Sequence, residues 1–290
     1  MESMEITLPT GFTIENCWYR KAGLRPLNGA DEEAFESMAQ ILLPAERITF
    51  LLTRCLANLG PKTPVEPDDV RSLTVGDRDA LLLHLRCLTF GNKIQAVLSC
   101  PHPSCSRKMD LELPIGDLLV PPSQNAKELY EAELRENGTN FKLKFRLPTG
   151  ADQEVIARLA CRDSDAASEL LVQRCVIELT KNGRRMRNKA ALPPILVESL
   201  SKRMVELDPQ AEILLDLACP TCDHRFSAYF DIGDYFFREL LTHSQQLYRE
   251  IHLLALHYHW SEGDILNMAR SKRLRYLGLL SDALKGGENQ

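Results

Sequence analysis

Two patterns of apolar residues follow each other along this chain, and the pair occurs twice. Leu81, Leu82, Leu85 and Leu88 recur at helical spacing, and so do Val197, Leu200, Met204 and Leu207. Each set predicts an amphipathic helix. After each helix, apolar and polar positions alternate on both sides of a tight Cys-Pro turn, which predicts two short strands. These are residues 94–99 and 109–113 in the first case, and 213–218 and 226–230 in the second. Upstream of each, a short strand leads into a turn and a helix start. Asn28 or Thr149 is the N-cap there, with Asp31 or Asp152 three residues on. That spacing is a capping box with Asp in place of Glu.

Landmarks between the two halves keep their order. Arg25 to Asp31 matches Arg146 to Asp152, Arg54-Cys55 matches Arg174-Cys175, Cys100-Pro101 matches Cys219-Pro220, and Ile115-Gly116-Asp117 matches Ile232-Gly233-Asp234. The offset drifts by only a few residues along the chain, which is the mark of an internal duplication. Flanking segments differ. Residues 5–18 predict an extra hairpin around Pro9-Thr10-Gly11. Residues 120–139 form a polar connector with room for a helix over 127–136. Beyond the second half, 234–259 predicts one long helix with Leu240, Leu247, Ile251, Leu254 and Tyr258 along a stripe. Ser261 then caps a new helix, with Trp260 stapled against Ile265. A last helix over 271–284 carries Leu274, Leu277, Leu280 and Leu284.

The expected fold class is therefore α+β and mainly helical. It is a tandem pseudo-twofold repeat, each copy ending in a Cys-bearing, zinc-ribbon-like β-hairpin, followed by a C-terminal helical tail. The expected divisions are an N-terminal hairpin at 1–18, copy one at 19–119 and a polar linker at 120–139. Copy two then spans 140–237 and the tail 238–290.

Composition narrows the setting. The 290 residues are 44% hydrophobic and 26% charged, enough to bury a core without disulfides. A net charge of −5 gives no global field to attract nucleic acid or an anionic membrane. No stretch approaches the roughly 20 apolar residues that span a bilayer. Residues 1–5 have neither the basic nor the apolar segment of a secretory signal, so nine cysteines are expected to be reduced, in a cytoplasmic setting.

Cys219 and Cys222 lie between two alternating strands, the setting of a zinc knuckle, and Asp223 follows them as a residue tolerant of left-handed backbone. Cys100 and Cys105 occupy the matching turn, four residues apart instead of two. Two such turns facing each other supply four thiolates for one tetrahedral structural Zn2+. Two rival readings concern the wider turn: His102 as a ligand, or loss of the ion. A redox pair is a third, although such a pair would open a helix rather than join strands. Cys55, Cys87, Cys161 and Cys175 fall in apolar helical stretches and are expected in the core, while Cys17 has no assigned place.

Little else suggests chemistry. His252, His257 and His259 lack the spacing of a metalloprotease motif, so a helix–helix hydrogen-bonding role is expected for His252 and His259. No nucleophile elbow and no phosphate-cradling loop is present, so no enzyme activity and no small-molecule substrate are expected. Lys181, Arg184, Arg185, Arg187 and Lys189 make one basic cluster, and Arg270, Lys272, Arg273 and Arg275 another. Without interleaved aromatic residues they read as solvated surface, or as a face for an acidic protein, ahead of nucleic acid.

Asp208 to Glu212, Cys219 to His224, Phe230-Asp231-Ile232, Glu250 to Ala255, Tyr258 to Glu262 and Arg275-Tyr276-Leu277 resemble the baseplate hub assembly chaperones of T-even-type phages. So do Leu73 to Leu82 and Leu88 to Gly91. Relatives of that family occur with contractile, phage-tail-like injection systems. Ser106 and Asp223 depart from the family's usual glycine after the knuckle. The resemblance implies a non-enzymatic assembly factor or minor structural component of a baseplate, with baseplate or hub subunits as partners. The alternative from the residues alone is a zinc-ribbon nucleic-acid-binding regulator. In the first reading, the tail's basic cluster at 270–275 is expected to face acid on a partner.

Overall fold

The computed structural model describes residues 3–136, 138–186 and 192–287. Helix exceeds strand, 49% to 26%. The chain opens with an antiparallel hairpin of β1 (Met4–Ile14) and β2 (Cys17–Leu24). Its turn is not at Pro9-Thr10-Gly11 as expected. Glu15 and Asn16 both adopt left-handed backbone, at φ 49° and 63°. That is the two-residue turn whose twist matches the strands. Gly11, at φ 89°, instead forms a bulge where the register slips between Thr7 and Phe12. The amides of Thr10 and Gly11 leave the ladder and donate to the two carboxylate oxygens of Asp77, at 2.8 and 2.9 Å.

Next come α1 (Gly29–Met38), α2 (Pro44–Cys55) and β3 (Leu56–Leu59), which adds to β2 as the third strand. A short α3 (Pro67–Ser72) and α4 (Val75–Phe90) follow, then the hairpin of β4 (Lys93–Ser99) and β5 (Lys108–Pro114). Leu81, Leu82 and Leu85 on α4 are fully buried in the larger of the cores.

The segment expected to be a linker is part of a sheet. β6 (Tyr130–Glu136) pairs with β7 (Thr139–Phe145), and then come α5 (Gly150–Ala160), α6 (Ser164–Cys175), β8 (Val176–Lys181) and β9 (Arg184–Arg185). The boundaries expected at 18/19 and 139/140 therefore each fall inside a hairpin. Tyr130 is buried, and Ala132 and Leu134 pack on the same core, so alternation fixes the strand although Glu, Ala and Leu favour helix. α7 (Pro194–Leu207) leads to the hairpin of β10 (Leu214–Ala218) and β11 (Arg225–Tyr229). The long α8 (Ile232–Tyr258), the short α9 (Glu262–Leu266) and α10 (Arg270–Gly287) complete the chain.

One three-residue clamp occurs twice. Arg25 grips Asp31 through both terminal nitrogens, at 2.6 and 3.2 Å, and Arg54 Nε adds a third bond at 3.0 Å. Arg146 grips Asp152 at 2.5 and 3.0 Å, and Arg174 Nε adds 2.8 Å. Each Asp also accepts from the backbone amide of its N-cap, Asn28 or Thr149, as the capping-box reading expected. Each Arg amide meets the carbonyl of Cys55 or Cys175 at 3.0 Å. The clamp fastens the entry of one helix to the exit of the next, with the Asp wholly inside. Burial alone raises the Asp152 carboxyl, but hydrogen bonds from Arg146 and Thr149 overcome this and hold it down at about 2.

The junction between the halves is close-packed. A Cβ on Gly150 would lie 1.3 Å from Nη1 of the buried Arg78, and one on Gly76 would lie 1.9 Å from Oδ1 of Asp208. Glycine is required at both by approach of neighbouring groups.

The tail helix is anchored by charge, which corrects the expectation for its basic cluster. Arg270 and Arg273 are buried, not presented to a partner. Arg273 meets Glu32 of α1 at 2.6 Å and Glu250 of α8 at 3.1 Å. Arg270 lies 3.6 and 3.9 Å from the same two acids. Two acids and two bases thus balance where α1, α8 and α10 meet. Only Lys272 and Arg275 face solvent. Trp260 packs against the small core that contains Ile265, with its ring on Tyr258 and Tyr276.

Candidate metal centre

Each cysteine pair is positioned by a hairpin tip whose backbone turns back on itself. In the second hairpin the Cys219 amide donates to the His224 carbonyl and the Asp223 amide to the Cys219 carbonyl, both at 2.9 Å. In the first, the Cys100 amide meets the Arg107 carbonyl at 2.9 Å, and the Cys105 and Ser106 amides share the His102 carbonyl. Ser106 and Asp223, where the resemblance would expect glycine, both hold left-handed backbone, at φ 46° and 55°. Asp is among the residues that tolerate this conformation, and Ser carries more strain.

The two tips bring all four sulfurs within 4.8 Å of one another, as a group that could hold a metal ion. Pairing runs across the hairpins: Cys100 Sγ lies 3.7 Å from Cys222 Sγ, and Cys105 Sγ lies 3.8 Å from Cys219 Sγ. A disulfide needs about 2.05 Å, so these are separate thiols. A tetrahedron with sulfur about 2.3 Å from its centre has edges of about 3.8 Å, so the donor set fits a four-thiolate site.

The electrostatics also fit a cation. Amides of Thr221 and Cys222 point at Cys219 and hold its thiol down at about 6. The His224 amide favours the Cys222 thiolate, but desolvation and the neighbouring thiols outweigh it and push that group up to about 12. Desolvation likewise raises Cys100. The Cys219 thiolate forms readily while Cys100 and Cys222 resist, as expected of negative charges gathered without a counter-ion. Metal ligation would remove that resistance.

His102 is outside the sulfur cluster. Its ring stacks obliquely with His224, centroids 5.1 Å apart, and its buried Nδ1 has no partner among the described residues. Cys55 and Cys175 are core residues, as expected, whereas Cys87 is half-buried and Cys161 is exposed. His252, on the solvent face of α8, and His259, at its C-terminal end, are exposed and make no helix–helix hydrogen bond among the described residues. His259 instead ends that helix in left-handed conformation, at φ 57°. Of the first basic cluster, Lys181, Arg184 and Arg185 are exposed, while Arg187 and Lys189 lie outside the described residues.

Sequence reasoning missed Glu32 and Glu250 as partners of the tail arginines. Both look like ordinary surface acids of amphipathic helices. It also flagged Arg25 and Arg146 only as landmarks. Their signal was present: each stands six residues before its Asp and 29 or 28 before the second Arg.

No helix among the described residues is long and apolar enough to cross a membrane. No curated protein and no solved structure matches the chain. A family described as T4 bacteriophage base plate protein matches residues 4–237, from the first strand through both cysteine hairpins and into α8. With that span covering most of its length, the chain belongs to the T4 bacteriophage base plate protein family.

Proposed function

We propose that this chain is a non-enzymatic helper in building the baseplate of a contractile phage tail or phage-tail-like injection system. It acts as a hub assembly chaperone or as a minor structural component, and its partners are baseplate or hub subunits. The family match over residues 4–237 carries this reading. The fold is a tandem duplication whose copies meet at one zinc ion held by Cys100, Cys105, Cys219 and Cys222. Support for the duplication comes from the twin Arg-Asp-Arg clamps at Asp31 and Asp152 and the shared order of hairpin, two helices and strand. Support for zinc comes from sulfur separations of 3.7 and 3.8 Å.

The test is deletion of the gene in a host carrying the tail cluster. Electron microscopy should find no complete baseplates, and complementation should restore them. Normal particles in the deletion strain would sink the proposal. Mass spectrometry of mature particles then separates the roles, because a chaperone is absent and a component is present at fixed stoichiometry.

The rival reading, a zinc-ribbon nucleic-acid regulator, loses half of its C-terminal basic patch, since Arg270 and Arg273 are committed to Glu32 and Glu250. It would be revived by tight binding to nucleic acid with a steep salt dependence.

A further inference from the structure

Between the two halves runs a groove formed by two adjoining hollows of about 490 and about 670 Å³, which share Val75, Gln153, Ile156, Ala211 and Tyr229 as walls. Its charge is one-sided. Asp79, Asp231 and Asp234 line one hollow, Asp208 and Glu212 line the other, and Arg47 is the single base lining them among the described residues. Two of these groups are already engaged: Asp234 pairs with Arg238, and Asp231 caps α8.

Two buried acceptor atoms on the lining residues lack a partner. Asp208 is 2% exposed, and its Oδ1 has no hydrogen-bond partner, while Oδ2 takes the Gly76 amide at 3.0 Å. The buried Oε1 of Gln153 also lacks a partner. Asp79 has no hydrogen bond and no ion pair among the described residues. Desolvation, with the nearby Asp231 carboxylate, raises Asp79 well above the ordinary carboxylate range against the pull of Arg78, and desolvation raises Asp208 to about 6. Buried acceptors are normally satisfied, and two unpaired ones on residues that line one groove, beside the half-buried Asp79, call for donors from outside the chain. Apolar walls beside them exclude a freely hydrated ion and suit an aliphatic stem.

We propose that this groove docks a segment of a partner protein carrying a lysine or arginine flanked by apolar residues, whose cationic head meets Asp79, Asp208 and Gln153. The inference deepens the baseplate reading by giving the partner's chemistry, and it rests on that reading only for the partner's identity.

The test places a photo-crosslinking amino acid at Val205, a 38%-exposed position on the groove wall, in the full-length chain expressed with its tail cluster. The crosslinked peptide is then sequenced. A segment with a basic residue between apolar ones is expected, with crosslink yield falling at least fivefold in the Asp79→Asn/Asp208→Asn double variant. Both substitutions keep side-chain shape and remove an unfavourable buried charge, so the variant should melt no lower than the parent. A crosslink only to a second copy, only to an acidic segment, or to nothing overturns the proposal, as does a yield indifferent to neutralisation. A basic segment from a protein outside the tail would keep the docking inference and overturn the baseplate reading.

Discussion

Replacing Cys219 with serine removes one of the four sulfurs that, with the proposed zinc, would tie together hairpins 114 to 122 residues apart in the chain. Serine's hydroxyl is a poor zinc ligand, so the variant is expected to lose the ion and the tie with it. The loss can be sized from chain entropy. A cross-link closing a loop of that length restricts the unfolded chain by about 5 kcal/mol, an upper figure because the unfolded state is not a random coil. Each hairpin is a two-stranded sheet on its own, and such sheets are marginal in water, so little else holds the two tips together. For a chain of this size a loss of 3 to 5 kcal/mol corresponds to a melting temperature lower by about 10 °C. Metal analysis and a thermal melt, each with and without a chelator, read the effect. The parent should carry one zinc per chain and be destabilised by chelator, and Cys219→Ser should carry none and be indifferent to it. Cys100→Ser combined with Cys219→Ser should be no worse than either alone, because both remove the same tie. Cys17→Ser, at an exposed thiol outside the cluster, should keep the metal. A parent without metal, or one whose melt ignores chelator, refutes the reasoning.

Four further outcomes follow from the buried charges and close approaches. Asp152→Asn should cost about 2 to 4 kcal/mol in denaturant unfolding, since it strips two arginines of their shared acid. The folded Asp152 value of about 2 lies below its unfolded one, so its stabilisation is present above about pH 4 and lost as pH falls towards 2; the variant's stability should be flatter over that range. Asp208 has the opposite sign: its folded value, about 6, lies above the unfolded one, so stability falls as pH rises from about 4 to 6, and Asp208→Asn should lessen that fall. Arg273→Met should leave Glu32 and Glu250 short of a counter-charge, cost about 3 to 5 kcal/mol and expose the tail to limited trypsin digestion, whereas Arg275→Ala should do neither. Gly150→Ala should be severely destabilising in a thermal melt, because Arg78 is buried and cannot yield the 1.3 Å approach.

Much was legible in the sequence wherever local chemistry sets the structure. Helical spacing at 81–88 and 197–207 located α4 and α7, and Asn28, Thr149 and Ser261 marked helix starts because a cap acts within three residues. Alternation around the Cys-Pro turns located both hairpins to within a residue. Duplicated landmarks drew attention to four cysteines distant in the chain. What the sequence left open depended on partners supplied from elsewhere. Residues 130–136 have the composition of a helix, and it is pairing with β7 and burial of the alternate residues Tyr130, Ala132 and Leu134 that make them a strand. Pro9-Thr10-Gly11 has the composition of a turn, yet Asp77, 66 residues away, satisfies the freed amides and makes it a bulge. Arg270 and Arg273 look like solvated surface until α1 and α8 bring Glu32 and Glu250 against them. The crosswise approach of Cys100 to Cys222 and Cys105 to Cys219 belongs to the same class, because no local pattern encodes how two hairpin tips meet. Residue spacing determines which groups can cap, alternate or turn, and tertiary packing alone determines which buried charge or thiol finds its complement.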